Sequence, residues 1–82
     1  MTSVLPHLIA LEFKGLLQTK EVSGGWKVRS TAHPEPICQM GEDGNWTDVT
    51  SEFSARKHGR GVLSMCDHLR LNHFTVLDTL GL

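Results

Sequence analysis

Two thiols and two imidazoles are the side chains of this sequence with the greatest capacity for chemistry. Cys66 and His68 flank Asp67, His73 follows five residues after His68, and Cys38 stands far upstream. Zinc prefers thiolate and imidazole ligands in a tetrahedral set, so Cys38, Cys66, His68 and His73 form one candidate metal site. Structural zinc sites usually bring their ligands in closer pairs. The alternatives are that both cysteines are small core residues, or that they form a disulfide, which a reducing compartment would disfavour. We expect no metal and no other cofactor.

The same residues fall short of a complete catalytic set. Nucleophilic catalysis by Cys66 or Cys38 would need a histidine base and a third group that orients the base, for which Asp67 is the candidate. The sequence has no glycine-rich phosphate loop and no nucleophile elbow. A chain of 82 residues also buries only a modest core and rarely encloses a cleft that excludes water. We therefore predict that the protein is not an enzyme.

A basic segment at residues 56–61 is the candidate site for nucleic acid. It contains Arg56, Lys57 and Arg60 together with two glycines, and it precedes a predicted helix. Basic side chains neutralise phosphates, and glycines let the backbone approach them. Lys27 and Arg29 are expected to project from one face of a strand and to extend this site. The net charge of −1 argues against it, since nucleic-acid-binding domains are usually basic.

An acidic segment lies directly before the basic one. Residues 42–52 include acids and no base, and residues 56–60 include bases and no acid. Charge contrast of this kind steers a complementary protein partner and fixes its orientation. The candidate partner-binding residues are Glu42, Asp43, Asp48, Arg56, Lys57 and Arg60. Our leading hypothesis is a small regulatory protein, an inhibitor or accessory factor, that binds and occludes a partner protein; a nucleic-acid-binding module and a zinc-stabilised domain are the alternatives.

The first apolar block, residues 4–18, has two competing periodicities. Leu5, Ile9 and Phe13 recur at helical spacing and would share one face packed on the core. Ile9, Leu11 and Phe13 also alternate with less apolar residues, which is typical of a strand. We favour a helix here and keep the strand as the alternative.

Two hairpins and a second helix follow along the chain. Ser23-Gly24-Gly25 predicts a chain reversal between two strands, and residues 41–45 predict a second reversal between two more. A short helix is expected at 52–56 and a loop at 58–61. From Val62 onward helical spacing returns, and the predicted shared face contains Val62, Met65, Cys66, Leu69 and His73.

The last residues, 74–82, are apolar for a chain end and favour neither helix nor strand. They complete either the core of their own domain or a homodimer interface, and both possibilities remain open.

These elements predict a single α+β domain spanning residues 1–82. A small antiparallel sheet of two hairpins would carry an N-terminal helix and a C-terminal helix packed on one face. No apolar run is long enough to cross a membrane, and no secretory signal precedes the domain. We therefore expect a cytoplasmic protein with reduced thiols and no membrane partner.

Overall fold

A computed structural model describes residues 4–51 and 57–82 of the chain. In chain order the elements within these residues are α1 (Val4–Phe13), β1 (Leu17–Val22), β2 (Gly25–Ser30), β3 (Ile37–Gly41), β4 (Asn45–Asp48), β5 (His58–Arg60), α2 (Val62–His68) and α3 (His73–Leu80). The predicted α+β class is confirmed. The helix expected at 52–56, and Arg56 with it, lie outside the described residues. None of the described helices is long and apolar enough to cross a membrane.

The five strands form one antiparallel sheet in which each strand pairs with its neighbour in sequence. Both predicted hairpins are present. Val22 pairs with Gly25 across a tight turn at Ser23-Gly24, where Gly24 takes a φ of 82° that side-chain-bearing residues avoid. The second hairpin joins β3 to β4. The sheet thus has one strand more than the two predicted hairpins supply.

The prediction of a loop at residues 58–61 was wrong, because His58–Arg60 form β5 and pair with β4. Gly59 lies opposite Trp46, and a Cβ placed on Gly59 would lie 2.7 Å from the indole ring. Glycine is present here because the ring lies against the backbone. A three-residue strand with a central glycine carries no alternating pattern, so only its long-range pairing defines it.

Residues 4–13 are helical, as favoured, but the helix packs on a different face from the one expected. Val4, Leu8 and Leu11 are buried, whereas Leu5 and Ile9 are exposed. The helix is apolar on almost every side, so its periodicity does not identify the buried face. It ends at Gly15, whose φ of 83° allows two terminal hydrogen bonds, from Gly15 N to Glu12 O and from Leu16 N to Leu11 O.

The C-terminal part of the chain forms two short helices. The helix expected from Val62 is confirmed but ends at His68. Asn72 begins the next helix, since its side chain accepts a hydrogen bond from Thr75 N. The final segment is therefore helical, and it ends at Gly81, which adopts the left-handed conformation.

The core contains side chains from all three helices and from one side of the sheet. Its buried hydrophobic members are Val4, Leu8, Leu11, Leu17, Val28, Cys38, Met40, Trp46, Val62, Met65, Cys66, Leu69 and Val76. In the register of the sheet, Val28 lies opposite Cys38 and Met40 lies opposite Trp46, so these strand residues share one face. The residues between them, such as Lys27 and Gln39, project from the other face, which we call the open face.

Candidate functional site

The two cysteines lie in the core. Cys38 and Cys66 are free thiols that are almost completely inaccessible to solvent. Burial raises the pKa of Cys66 to about 12, with a smaller contribution from the negative charge of Asp67. Burial also raises the pKa of Cys38 to about 12, helped by the charge of Asp48 and the proximity of Cys66. A thiol of this kind is a poor nucleophile at neutral pH, because the thiolate is the reactive form.

His68, one of the predicted zinc ligands, is paired with a carboxylate of the sheet. His68 Nε2 lies 2.7 Å from Asp48 Oδ2, and both side chains are largely buried. The other carboxylate oxygen of Asp48 accepts a hydrogen bond of 2.8 Å from Thr50 N. Burial of Asp48 raises its pKa, but the hydrogen bonds from Thr50 and His68 outweigh this effect and hold the pKa below its usual value.

The His68 ring also stacks on Trp46, with ring centroids 4.8 Å apart. Trp46 Nε1 donates a 2.7 Å hydrogen bond to Ser64 Oγ, and that hydroxyl in turn donates to the carbonyl oxygen of Arg60. Asp48 and Trp46 belong to β4, and Ser64 and His68 belong to α2. Polar contacts at two points therefore fix α2 against the edge of the sheet.

His73 is separate from this network. Its Nδ1 lies 3.0 Å from Asp67 Oδ1, and both side chains are about half exposed. The four predicted zinc ligands are thus two buried thiols and two histidines that bind different aspartates. Within residues 4–51 and 57–82, no group of three or more histidine, cysteine or acidic side chains is arranged to hold a metal ion.

A polar cavity of about 740 Å³ lies beside the Asp48–His68 pair. Its lining includes the charged side chains of Glu35, Lys57, Asp67 and Arg70. An imidazole held by a carboxylate is oriented as a general base would be. In the part of the chain that the structure describes, however, no hydroxyl or thiol hydrogen-bonds to the His68 ring. The pair therefore supplies an oriented imidazole without an activated nucleophile.

Among the described residues, the predicted partner-binding set includes two pairs, Asp43 beside Arg60 and Asp48 beside Lys57. Asp43 accepts hydrogen bonds from the backbone and side chain of Asn45, which lower its pKa, and the charge of Arg60 lowers it slightly further. Asp48 is bound to His68, and Lys57 lines the polar cavity. Glu42 is exposed in the turn before Asp43, where its backbone N–H bonds to Gly24 O.

Sequence reasoning identified an apolar stripe on α1 but wrongly assigned it to the core. Leu5, Ile9 and Phe13 follow one another at intervals of four residues, and they are 46%, 57% and 93% exposed. We call these three residues the apolar stripe. The available signal was the apolar character of the helix on almost every side, because a helix that packs on a small sheet buries only one of its faces.

The open face of the sheet, in contrast, is basic. Lys20, Lys27 and Arg29 project from it on β1 and β2, and His58 and Arg60 project from it on β5. The acidic residues of the described strands, Glu21 and Asp48, alternate to the opposite face. The predicted nucleic-acid residues Lys27, Arg29 and Arg60 are therefore on one face, whereas Lys57 is exposed just before β5.

Comparison with known proteins identifies no relative of this chain. No protein-family model matches the chain, and neither a curated protein nor a solved structure shows significant similarity to it.

Proposed function

We propose that the protein is a small binding protein that acts by occupying a surface of a partner protein, as an inhibitor or accessory factor. The observation that supports this proposal is the apolar stripe. Leu5, Ile9 and Phe13 place large apolar side chains in solvent along one line of a helix. Aligned apolar surface of this kind is typical of interaction sites, because its removal from water stabilises a complex by about 25 cal/mol per Å².

The size of the stripe favours a different protein over a second copy of this chain. The three side chains expose on the order of 350 Å², given the usual surface of such residues. Two copies joined through the stripe alone would therefore bury roughly 700 Å², less than the roughly 1,000 Å² of a stable interface. An apolar groove that encloses the helix on both sides buries more surface per residue. We assign the stripe to such a groove on a partner protein.

The partner is identified by photo-crosslinking from within the stripe. A benzophenone amino acid replaces Ile9 in one sample and Ser23, exposed in the turn between β1 and β2, in a matched sample. In a lysate of the source organism, one dominant adduct is expected from position 9 and is not expected from position 23.

The captured protein is then purified and its affinity for variants of this chain is measured. Phe13→Ser should weaken binding about 30-fold or more, as loss of an interface anchor does. Lys14→Ser, at the adjacent exposed position, should change it less than about twofold. Equal affinity of the Phe13→Ser variant and the unaltered chain would contradict the proposal. A homodimer that Phe13→Ser converts to a monomer would make a second copy the occupant and overturn the assignment to a different protein.

A further inference from the structure

We propose that the open face of the sheet binds the phosphate backbone of nucleic acid, independently of the partner that binds α1. The centre of this surface is formed by Lys20, Lys27 and Arg29. None of the three forms an ion pair with a described residue. The net charge of −1 conceals this cluster, because most of the nine acids lie in turns and helices and the acids of the described strands are on the other face. Asp43 borders the far end of the open face, beside Gln39 and Thr47.

The arrangement of these cations is unfavourable for the fold itself. Lys20 and Lys27 lie directly opposite one another on neighbouring strands. Like charges at opposed positions of an antiparallel pair repel each other and destabilise the sheet. A polyanion laid across the two strands would remove that repulsion on binding, since each lysine would then face a phosphate.

The shape and polarity of the open face suit an extended backbone. A shallow cavity of about 250 Å³ lies over β1 and β2, and Lys20, Lys27 and Arg29 are part of its lining. Arg29 is held in place by a 2.9 Å hydrogen bond from its Nε to Gln18 Oε1, which leaves its terminal guanidinium nitrogens available. Further along the same face, Gln39 and Thr47 lie opposite one another and offer uncharged hydrogen-bonding groups.

Nucleic acid fits this surface better than an acidic protein does. Protein interfaces are anchored by aromatic and large apolar side chains. Among the described residues of the open face, His58 is the only one with a ring, and Val22 and Ile37 are the only aliphatic ones. Phosphate binding needs only cations and polar donors. The lack of stacking rings also predicts binding without sequence preference.

The test is a titration of a fluorescent duplex of about 20 base pairs, followed by anisotropy at salt concentrations from about 50 to 200 mM. Lys27→Glu is the test variant and Lys14→Glu is the matched control, since both change the net charge equally and Lys14 lies outside the sheet. We expect Lys27→Glu to raise the Kd at low salt at least about tenfold and to flatten the salt dependence. Lys14→Glu should change the Kd less than about twofold.

Three results would overturn the proposal. The first is no binding of the unaltered chain at about 50 mM salt. The second is equal weakening by the two variants, which would mean a response to net charge alone. The third is competition by poly-glutamate as effective as competition by unlabelled duplex, which would make an acidic polypeptide the ligand. Failure of crosslinking at Ile9 would leave these outcomes unaffected, because the two surfaces involve different residues.

Discussion

Trp46 and Gly59 lie opposite each other across β4 and β5, and the indole ring fills the space that a side chain on Gly59 would occupy. We expect Gly59→Ala to destabilise the fold by about 1–3 kcal/mol, because the new methyl group would force the ring out of place. Chemical denaturation measures this cost. In a Trp46→Phe background the smaller ring should reduce it. An equal loss of stability in both backgrounds would mean that the backbone conformation, and not the indole ring, requires glycine at position 59.

The buried face of α1 can be tested by comparing neighbouring residues. Leu8 is 1% exposed and Ile9 is 57% exposed. Leu8→Ala should therefore lower the free energy of unfolding by about 2–5 kcal/mol. Ile9→Ala should change it by less than about 1 kcal/mol. Urea denaturation of both variants is the measurement, and a larger loss for Ile9→Ala would mean that the helix packs on the opposite face.

The repulsion between Lys20 and Lys27 predicts that one substitution raises the free energy of unfolding. Lys27→Glu would place a carboxylate opposite Lys20 and replace a repulsion by an attraction. We expect the free energy of unfolding to rise by about 0.2–1 kcal/mol at low salt, and the gain to shrink as salt is added. Lys14→Glu, measured in parallel, should give no such gain. An unfolded Lys27→Glu protein would contradict the prediction, because it would show that Lys27 stabilises the fold.

The Asp48–His68 pair predicts a dependence of stability on acid pH. Because the folded protein holds the pKa of Asp48 below its usual value, the ionised carboxylate stabilises the fold above the unfolded-state pKa of about 3.9. This contribution is lost as the pH falls through the lower, folded-state pKa. Asp48→Asn should destabilise the protein at neutral pH and flatten the decline of its stability below about pH 4. The control is Asp78→Asn, on the exposed surface of α3. Equal acid profiles for the two variants would contradict the prediction.

Cys38 and Cys66 should not react with thiol reagents until the protein unfolds. With a pKa of about 12, the thiols of Cys38 and Cys66 carry roughly a thousandfold less thiolate at neutral pH than an ordinary cysteine. We expect a thiol reagent to label neither residue in the native protein, and to label both in urea. A cysteine introduced at exposed Ser23 provides the positive control. Rapid labelling of the native protein would contradict the prediction, because it would show that the folded state exposes these thiols to solvent.

The two hairpins were predictable because the information for them is local. Ser23-Gly24 combines a small polar residue with a glycine that accepts the left-handed conformation, and apolar residues alternate after it. The second hairpin is marked in the same way by glycine and aspartate. The buried face predicted from Val62 onward was correct for Val62, Met65, Cys66 and Leu69, because they recur at helical spacing in a segment with a distinct polar side. The placement of His73 on that face was wrong, since His73 lies in α3 and is about half exposed.

The features that escaped prediction depend on contacts that are distant in sequence. β5 has no pattern of its own and exists through its pairing with β4. The partner of His68 is Asp48, twenty residues earlier, whereas local spacing drew attention to Asp67. On α1 the sequence offered two apolar faces, and the positions of the sheet and of the two C-terminal helices determine which one is buried. Local periodicity therefore identified most helices and strands, but not how these elements pair and pack against one another.

The order of strands in the sheet also bears on how the chain folds. Each hairpin closes a short loop, an event that takes about 1–10 μs. The contact between α1 and α3, in contrast, joins opposite ends of the chain and requires nearly all of it to be closed into one loop. The docking of these two helices is thus the contact of longest range. Removal of α1 would take away one of the helices that contact α3, together with the buried side chains of Val4, Leu8 and Leu11.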